Sequence, residues 1–279
     1  IRALRDEQFD ILHLHEPLAP GPTLTALFLA QGPMVGTFHA AGKSLAYDLL
    51  KGPVKWLRNR LDHAFAVSED AATMAHTALG GEYEILFNGV EIDRYISANS
   101  WPKKNPTIFF VGRHEPRKGL NVLLDAMSFL PPDTHLWVAS DGPETAELKA
   151  QSAGDHRVKW LGRISEEEKL ARMKGADILC APSLRGESFG VVLLEGMACG
   201  TPVVASDIPG YAKVASQGKD AVLVPAGDSQ ALAGAIEKIL RNSDQAEELV
   251  TRGMKRAEFF SMRRLAETYL ESYEAILTN

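Results

Sequence analysis

A short run of apolar, β-branched and aromatic residues followed by a longer helical stretch recurs along the chain, and that alternation leaves few folds open. The runs are Phe9–His15, Met34–Phe38, His63–Val67 and Tyr83–Phe87, then Thr107–Val111, His135–Ala139, Arg157–Leu161, Asp177–Cys180, Pro202–Ala205 and Ala221–Val224. Strand then helix, repeated, is the signature of parallel sheets with helices on both faces. Helices are predicted near Pro22–Ala30, over Lys43–Arg60 with a break at Gly52-Pro53, after Ser68, over Val191–Cys199 and, to close the chain, over Met262–Leu277. Residues 1–8 read as the tail of an amphipathic helix, so the chain opens in mid-pattern. About three further strand–helix units of roughly 30 residues each are expected before it.

The alternation is interrupted once. Residues 97–106, Ser-Ala-Asn-Ser-Trp-Pro-Lys-Lys-Asn-Pro, are polar and twice broken by proline, which is linker composition. Two domains are therefore predicted: residues 1–97, to which helix 262–279 returns, and residues 98–261. A net charge of -6 excludes a general nucleic-acid binder. Two cysteines, Cys180 and Cys199, in apolar surroundings read as reduced core thiols of a cytoplasmic protein. No apolar run is long enough to span a bilayer.

In open parallel sheets ligands bind beyond the carboxyl ends of strands, and one stretch there stands out. Gly186-Glu187-Ser188-Phe189-Gly190 leads from a strand into a helix carrying Glu195 and stopped by Gly200-Thr201-Pro202. With about five of the eight steps helical, rise alone separates the two carboxylates by roughly 8 Å. The helix start between them, opened by Ser188 and Gly190, offers N–H groups to phosphate. The alternative is a capping Glu187 and a solvated Glu195. Gly112-Arg113-His114-Glu115-Pro116-Arg117-Lys118-Gly119 is the second such stretch, where Arg113 and Lys118 could hold a diphosphate or form a solvated basic turn.

His39 ends an apolar strand and faces either a cleft or a hydrogen-bonded structural site. His13, His15 and Glu16 with His39 lack the carboxylate cluster of a metal site, and no metal is expected. Ser165 with Glu168 reads as a capping box, with a nucleobase pocket as the sharper reading of the same turn. Serine-hydrolase, P-loop and dinucleotide motifs are missing.

Together these residues resemble the retaining family-4 glycosyltransferases of the GT-B fold. Glu187 to Glu195 matches the family's E-x7-E pattern, and Gly112-Arg113, Arg117-Lys118-Gly119, Asn88-Gly89-Val90, Asp141-Gly142-Pro143 and Gly200-Thr201-Pro202-Val203-Val204-Ala205 fit it too. Within the family, Leu12-His13-Leu14-His15-Glu16-Pro17, Thr37-Phe38-His39, Glu115-Pro116-Arg117-Lys118-Gly119 and Cys180-Ala181-Pro182 through to Gly190 look most like the phosphatidyl-myo-inositol mannosyltransferases. Phe87 departs from the family, which commonly has proline there. The resemblance implies an α/β GT-B enzyme with two Rossmann-like domains facing a cleft, the first incomplete. It implies transfer of mannose from GDP-mannose to an inositol lipid, by an enzyme peripheral to the inner face of the plasma membrane. A UDP-sugar transferase acting on a soluble acceptor, and an inactive nucleotide-sugar-binding fragment, are the alternatives. No tightly bound cofactor is implied. By position Arg113 and Lys118 would hold the diphosphate, and Glu187 the sugar, helped by Ser188, Phe189, Gly190 and Val191. Glu195 would bind ribose, Ile164, Glu166 and Lys169 would lie at the guanine, His39 would stand between donor and acceptor, and His15 on the acceptor side. Glu187, at a strand tip, is expected to be partly exposed.

Overall fold

Ten strands among the described residues form two wholly parallel sheets in a computed structural model that describes residues 2, 4, 9–40, 55–187 and 189–278. The predicted helices over residues 1–8 and Lys43–Arg60 fall mostly outside these residues. Only a 3-10 turn at Lys55–Arg60 is described from the second. The chain forms two compact units, residues 1–89 with 262–279, and residues 90–261.

In the first unit β1 (Leu12–His15), β2 (Met34–Phe38), β3 (His63–Ala66) and β4 (Glu84–Ile85) pair in chain order. Every residue of β2 is buried, as a central parallel strand covered on both faces requires. Helices α1 (Pro22–Leu29) and α2 (Glu69–Leu79) pack on the sheet through Leu27, Ala71 and Ala75, beside Leu14, Phe38 and Leu57. Proline at the first turn of α1 gives up an N–H that the helix would not have used. Ser68 caps α2, its Oγ accepting from Ala71 N at 3.1 Å, and Glu69 and Asp70 complement the helix dipole.

The second unit begins with the short helix α3 (Ile92–Ile96). The alternation then runs β5 (Thr107–Val111), α4 (Leu120–Ala126), β6 (His135–Ala139), α5 (Thr145–Gln151), β7 (Val158–Gly162), α6 (Glu166–Gly175), β8 (Ile178–Ala181) and α7 (Val191–Ala198). It continues with β9 (Val203–Ser206), α8 (Pro209–Val214), β10 (Val222–Val224), α9 (Ser229–Arg241) and α10 (Ser243–Phe259). Across the sheet the order is β10-β9-β8-β5-β6-β7. That is the doubly wound pattern in which the chain returns to its first strand and continues on the other side. Helix α11 (Met262–Thr278) then belongs with the first unit, where Tyr269 sets its ring edge-on to Phe65 at 5.1 Å between centroids.

The segment 97–106 is not a free linker. Trp101 lies against the guanidinium of the buried Arg172 at 4.1 Å and donates its backbone N–H to Ala171 O at 2.8 Å. Lys103 pairs with Asp177 at 2.7 Å. These contacts tie the segment to the second unit, and the division falls at Gly89–Val90 instead. Tryptophan–arginine stacking of this kind is invisible to a composition argument. No helix among the described residues is long and apolar enough to cross a membrane.

Gly119 sits where the loops after β5 and β8 meet. Its φ is +65°, and a Cβ added there would lie 2.1 Å from the carbonyl oxygen of Pro182. Gly119→Ala is expected to cost more than about 2 kcal/mol of stability, from left-handed backbone strain plus a backbone clash. Urea denaturation of the two proteins measures it.

Candidate active site

β5 and β8 are neighbours in the sheet, yet the chains leaving them run to opposite sides. Loops that part at such a reversal leave a crevice between them, the usual ligand position in a doubly wound sheet. One wall is residues 112–119, ending in a 3-10 turn at Pro116–Lys118. The other is residues 182–190. Leu184 N donates to Arg117 O at 2.7 Å, stitching the walls together at their base. The first wall is also fixed to the loop after β6. His114 N bonds Asp141 O at 3.1 Å, and its buried ring places Nδ1 at 2.8 Å from Thr145 Oγ1. Burial holds that imidazole below its ordinary pKa, so it stays neutral.

Glu187 is the focus of the crevice. Its Oε1 accepts from Lys118 Nζ at 2.6 Å, Arg117 Nη1 at 2.8 Å and Ser183 Oγ at 3.2 Å. Arg117 is itself held by Glu115 Oε1 at 2.7 Å and donates to Gly186 O at 3.1 Å. Every one of these donors goes to a single carboxylate oxygen; among the described residues none reaches Oε2. The residue is half-buried, as expected of a partly exposed carboxylate, with its side chain 12% exposed. Burial is tolerated because two cations and a hydroxyl replace the lost water.

Glu195, on α7, repeats the arrangement. Its Oε1 accepts from Tyr95 OH at 2.9 Å and Lys169 Nζ at 3.1 Å, and the side chain is 15% exposed. Lys169 also binds Glu166 Oε2 at 2.9 Å. Burial alone would lower the Lys169 pKa. The charge of Glu195 and the hydrogen bonds that the ammonium donates to Glu166 and Glu195 outweigh it and hold the ammonium above its ordinary value. Burial, reinforced by the Glu195 charge, pushes the Tyr95 phenol up and keeps it a donor.

The remaining sequence-predicted residues take up different places. Arg113 does not join the Glu187 cluster: its side chain is 68% exposed, with its Nε 4.0 Å from Glu115 Oε2. It borders an open cleft of about 740 Å³ with Ser140, Asp141, Gly142 and Arg163, the last held by both oxygens of Asp141 at 2.9–3.0 Å. Half-buried Ile164 and exposed Glu166 flank Ser165, which caps α6 by accepting from Glu168 N at 3.1 Å. The Glu168 carboxylate accepts from Arg172 Nε at 2.7 Å, and no return bond to Ser165 closes the predicted box among the described residues. Gly190 caps α7 with φ +77° and no side-chain cap, and Val191 opens that helix with an exposed side chain. Phe189 is buried edge-on against Phe260 at 5.3 Å. Ser188 lies outside the described residues.

In the first unit His39 and His15 meet, His15 Nδ1 lying 2.9 Å from His39 Nε2, so one ring donates and the other accepts. Glu16 Oε2 accepts from His39 N at 2.9 Å and Ala40 N at 2.8 Å, fixing the strand tip. His13, not among the predicted site residues, stacks on His15 at 4.5 Å and bonds Thr37 Oγ1 at 2.8 Å and Tyr273 OH of α11 at 2.5 Å. No group of three or more His, Cys, Asp or Glu among the described residues could hold a metal ion.

The sequence profile described as Glycosyl transferases group 1 matches residues 91–256, more than half of the chain. The chain belongs to this glycosyltransferase family. A second profile, Glycosyltransferase Family 4, matches residues 1–94. Phosphatidyl-myo-inositol mannosyltransferase of Mycobacterium leprae is 39% identical over 288 positions, covering 100% of this chain and 76% of that protein. The enzyme of the same name from Mycolicibacterium smegmatis is 35% identical, covering 98% and 73%. Among solved structures, Anabaena HepE in complex with UDP superposes with a TM-score of 0.79 at 22% identity, over 98% of this chain and 80% of that one. A Rickettsia africae glycosyltransferase gives 0.80 at 20% identity, over 100% and 79%. These likenesses agree with the GT-B type of α/β fold expected from the sequence, with two parallel sheets.

This glycosyltransferase thus presents two carboxylates, each pinned through one oxygen by a lysine and a hydroxyl. Sequence reasoning had singled out Glu187, Glu195, Lys118 and Lys169. It missed Arg117 as a direct partner, and Tyr95 and Ser183 altogether; Tyr95 lies 100 positions from its acceptor. Glu187→Ala is expected to lower stability by about 1–3 kcal/mol in chemical denaturation, because Arg117 and Lys118 lose their acceptor; Glu187→Gln, which keeps an acceptor oxygen, should lose less. A separate expectation concerns His13. Burial, then the charges of His15 and His39, lower its pKa from 6.5 to about 4. The unfolded chain therefore binds the proton more tightly. Stability of the first unit is full above pH 6.5 and falls as the pH drops through 4. The near-UV signal of Tyr269 and Tyr273 during acid titration tests this, and His13→Gln should flatten the dependence.

Proposed function

We propose that this glycosyltransferase moves mannose from GDP-mannose to a phosphatidyl-myo-inositol lipid, with retention at the anomeric carbon. The observation that carries the reading is the 39% identity, over the whole chain, to an enzyme named phosphatidyl-myo-inositol mannosyltransferase. The site geometry supports it. A nucleotide sugar has two polyhydroxylated rings separated by a diphosphate, and each ring needs an oriented acceptor for its hydroxyls. On this reading Oε2 of Glu187 receives the sugar hydroxyls and Oε2 of Glu195 those of the ribose. Ile164, Glu166 and Lys169 lie at the base.

Cleavage of the sugar–phosphate bond leaves negative charge on the diphosphate. Preorganised cations at that position lower the barrier without reorganisation at the moment of reaction. Lys118 gives one of its three N–H bonds to Glu187 and keeps two for phosphate. Arg113, exposed on the same wall, is on this reading the second cation for that group. Phe189, Gly190 and Val191 bring the start of α7 to it, where the helix dipole favours an anion. On this reading His39 stands between donor sugar and acceptor and His15 on the acceptor side, the hydrogen bond between them setting which nitrogen of His39 carries the proton. A lipid acceptor resides in a bilayer, so the enzyme works at a membrane surface.

A UDP-sugar donor is the second reading, favoured by the HepE structure solved with UDP. Calorimetric titration with GDP and then UDP at matched salt decides between them. Tighter binding of GDP, weakened about tenfold or more in Arg113→Ala by loss of a charge-assisted phosphate contact, is the expected result. Tighter binding of UDP overturns the donor assignment.

A further inference from the structure

Beyond Oε1 of Glu187 two hydroxyls are buried in a row. Ser183 is 2% exposed and Tyr211, on α8, is 1% exposed, so neither reaches a ligand. Tyr211 OH lies 2.9 Å from Ser183 Oγ, and Ser183 Oγ lies 3.2 Å from Glu187 Oε1. The direction of the chain follows from the chemistry of its end. An ionised carboxylate only accepts, so the single Ser183 proton is committed to Glu187. Ser183 must then accept from Tyr211, whose proton is secure because burial raises its pKa.

Tyr211 has a second task. Gly190 takes up φ +77° to begin α7, and a Cβ added there would come within 2.6 Å of Tyr211 Cδ1. The ring is therefore pressed against the residue at which the helix starts. Its hydroxyl bears on the carboxylate and its ring on the helix terminus. A single buried side chain thus sets two parts that a donor must meet together.

We propose that Tyr211 is a positioning residue for sugar recognition, acting through Ser183 to orient Glu187 so that Oε2 faces the donor sugar. The proposal rests on Glu187 binding the sugar. It separates two functions of the site. Lys118 and Arg113 meet the diphosphate whether or not a sugar is attached, whereas the Tyr211–Ser183 chain bears only on the carboxylate that meets the sugar.

Tyr211→Phe removes the hydroxyl and keeps the ring against Gly190. Titration calorimetry with GDP and GDP-mannose, and in parallel with UDP and UDP-glucose, reads the effect. The variant should bind the nucleotide sugar about 3- to 10-fold more weakly, the effect of losing one buried hydrogen bond, while free nucleoside diphosphate stays within about twofold. Ser183→Ala should behave in the same way. In a Glu187→Ala background Tyr211→Phe should add nothing further, since the relay has lost its end point. Equal weakening for both ligands would mean that Tyr211 only supports the fold, and unchanged sugar affinity would mean that the hydroxyl chain orients nothing. Either result overturns the proposal. If Glu187→Ala keeps the full preference for the nucleotide sugar over the free diphosphate, the sugar-binding role of Glu187 itself fails, and the relay with it.

Discussion

The contact of Gly119 with the Pro182 carbonyl underlies the rest of the second unit. It occurs where β5 and β8 lie side by side and their loops diverge, and it leaves no volume for a Cβ. Because the two walls touch at their base, Arg117 and Lys118 on one come within hydrogen-bonding distance of Glu187 on the other. Strand order provides the crevice, and a glycine in the left-handed region lets it close tightly enough for side chains to bridge it.

Both carboxylates solve the same electrostatic problem in the same way. A carboxylate with little exposure must replace its lost hydration, and cations with a hydroxyl do so at Glu187 and at Glu195. In both, the donors concentrate on one carboxylate oxygen, Oε1. The cations are shared in turn: Lys169 by Glu166 and Glu195, Arg117 by Glu115 and Glu187. Such networks are stiff, since removing one member leaves others unsatisfied. The first unit has its own polar row, His13 with Thr37 and Tyr273, which joins its strand tips to the closing helix.

Central strands were legible because their residues are apolar on both faces. Thr107–Val111, His135–Ala139 and Met34–Phe38 match the predicted limits. Edge strands were less so. Tyr83–Phe87 shortens to Glu84–Ile85, since the last strand of the first sheet has one paired side and less burial to mark it. The segment 97–106 misled for a related reason. Prolines and lysines report the local chain, whereas the Trp101–Arg172 stack spans 71 positions and depends on α6 presenting that arginine inward.

The sequence by itself determined the alternation of strand and helix, the turns that end each unit and the presence of two carboxylates eight positions apart. These are local properties, set by side-chain periodicity and by the φ values that glycine and proline permit. Only the tertiary structure decided which groups hold those carboxylates. Tyr95, Ser183 and Tyr211 are ordinary residues in their own neighbourhoods, and nothing in their spacing marks them. They become partners because the fold brings helices and loops that are distant in sequence to the same place. A hydrogen bond depends on position to a few tenths of an ångström, a precision no one-dimensional pattern carries.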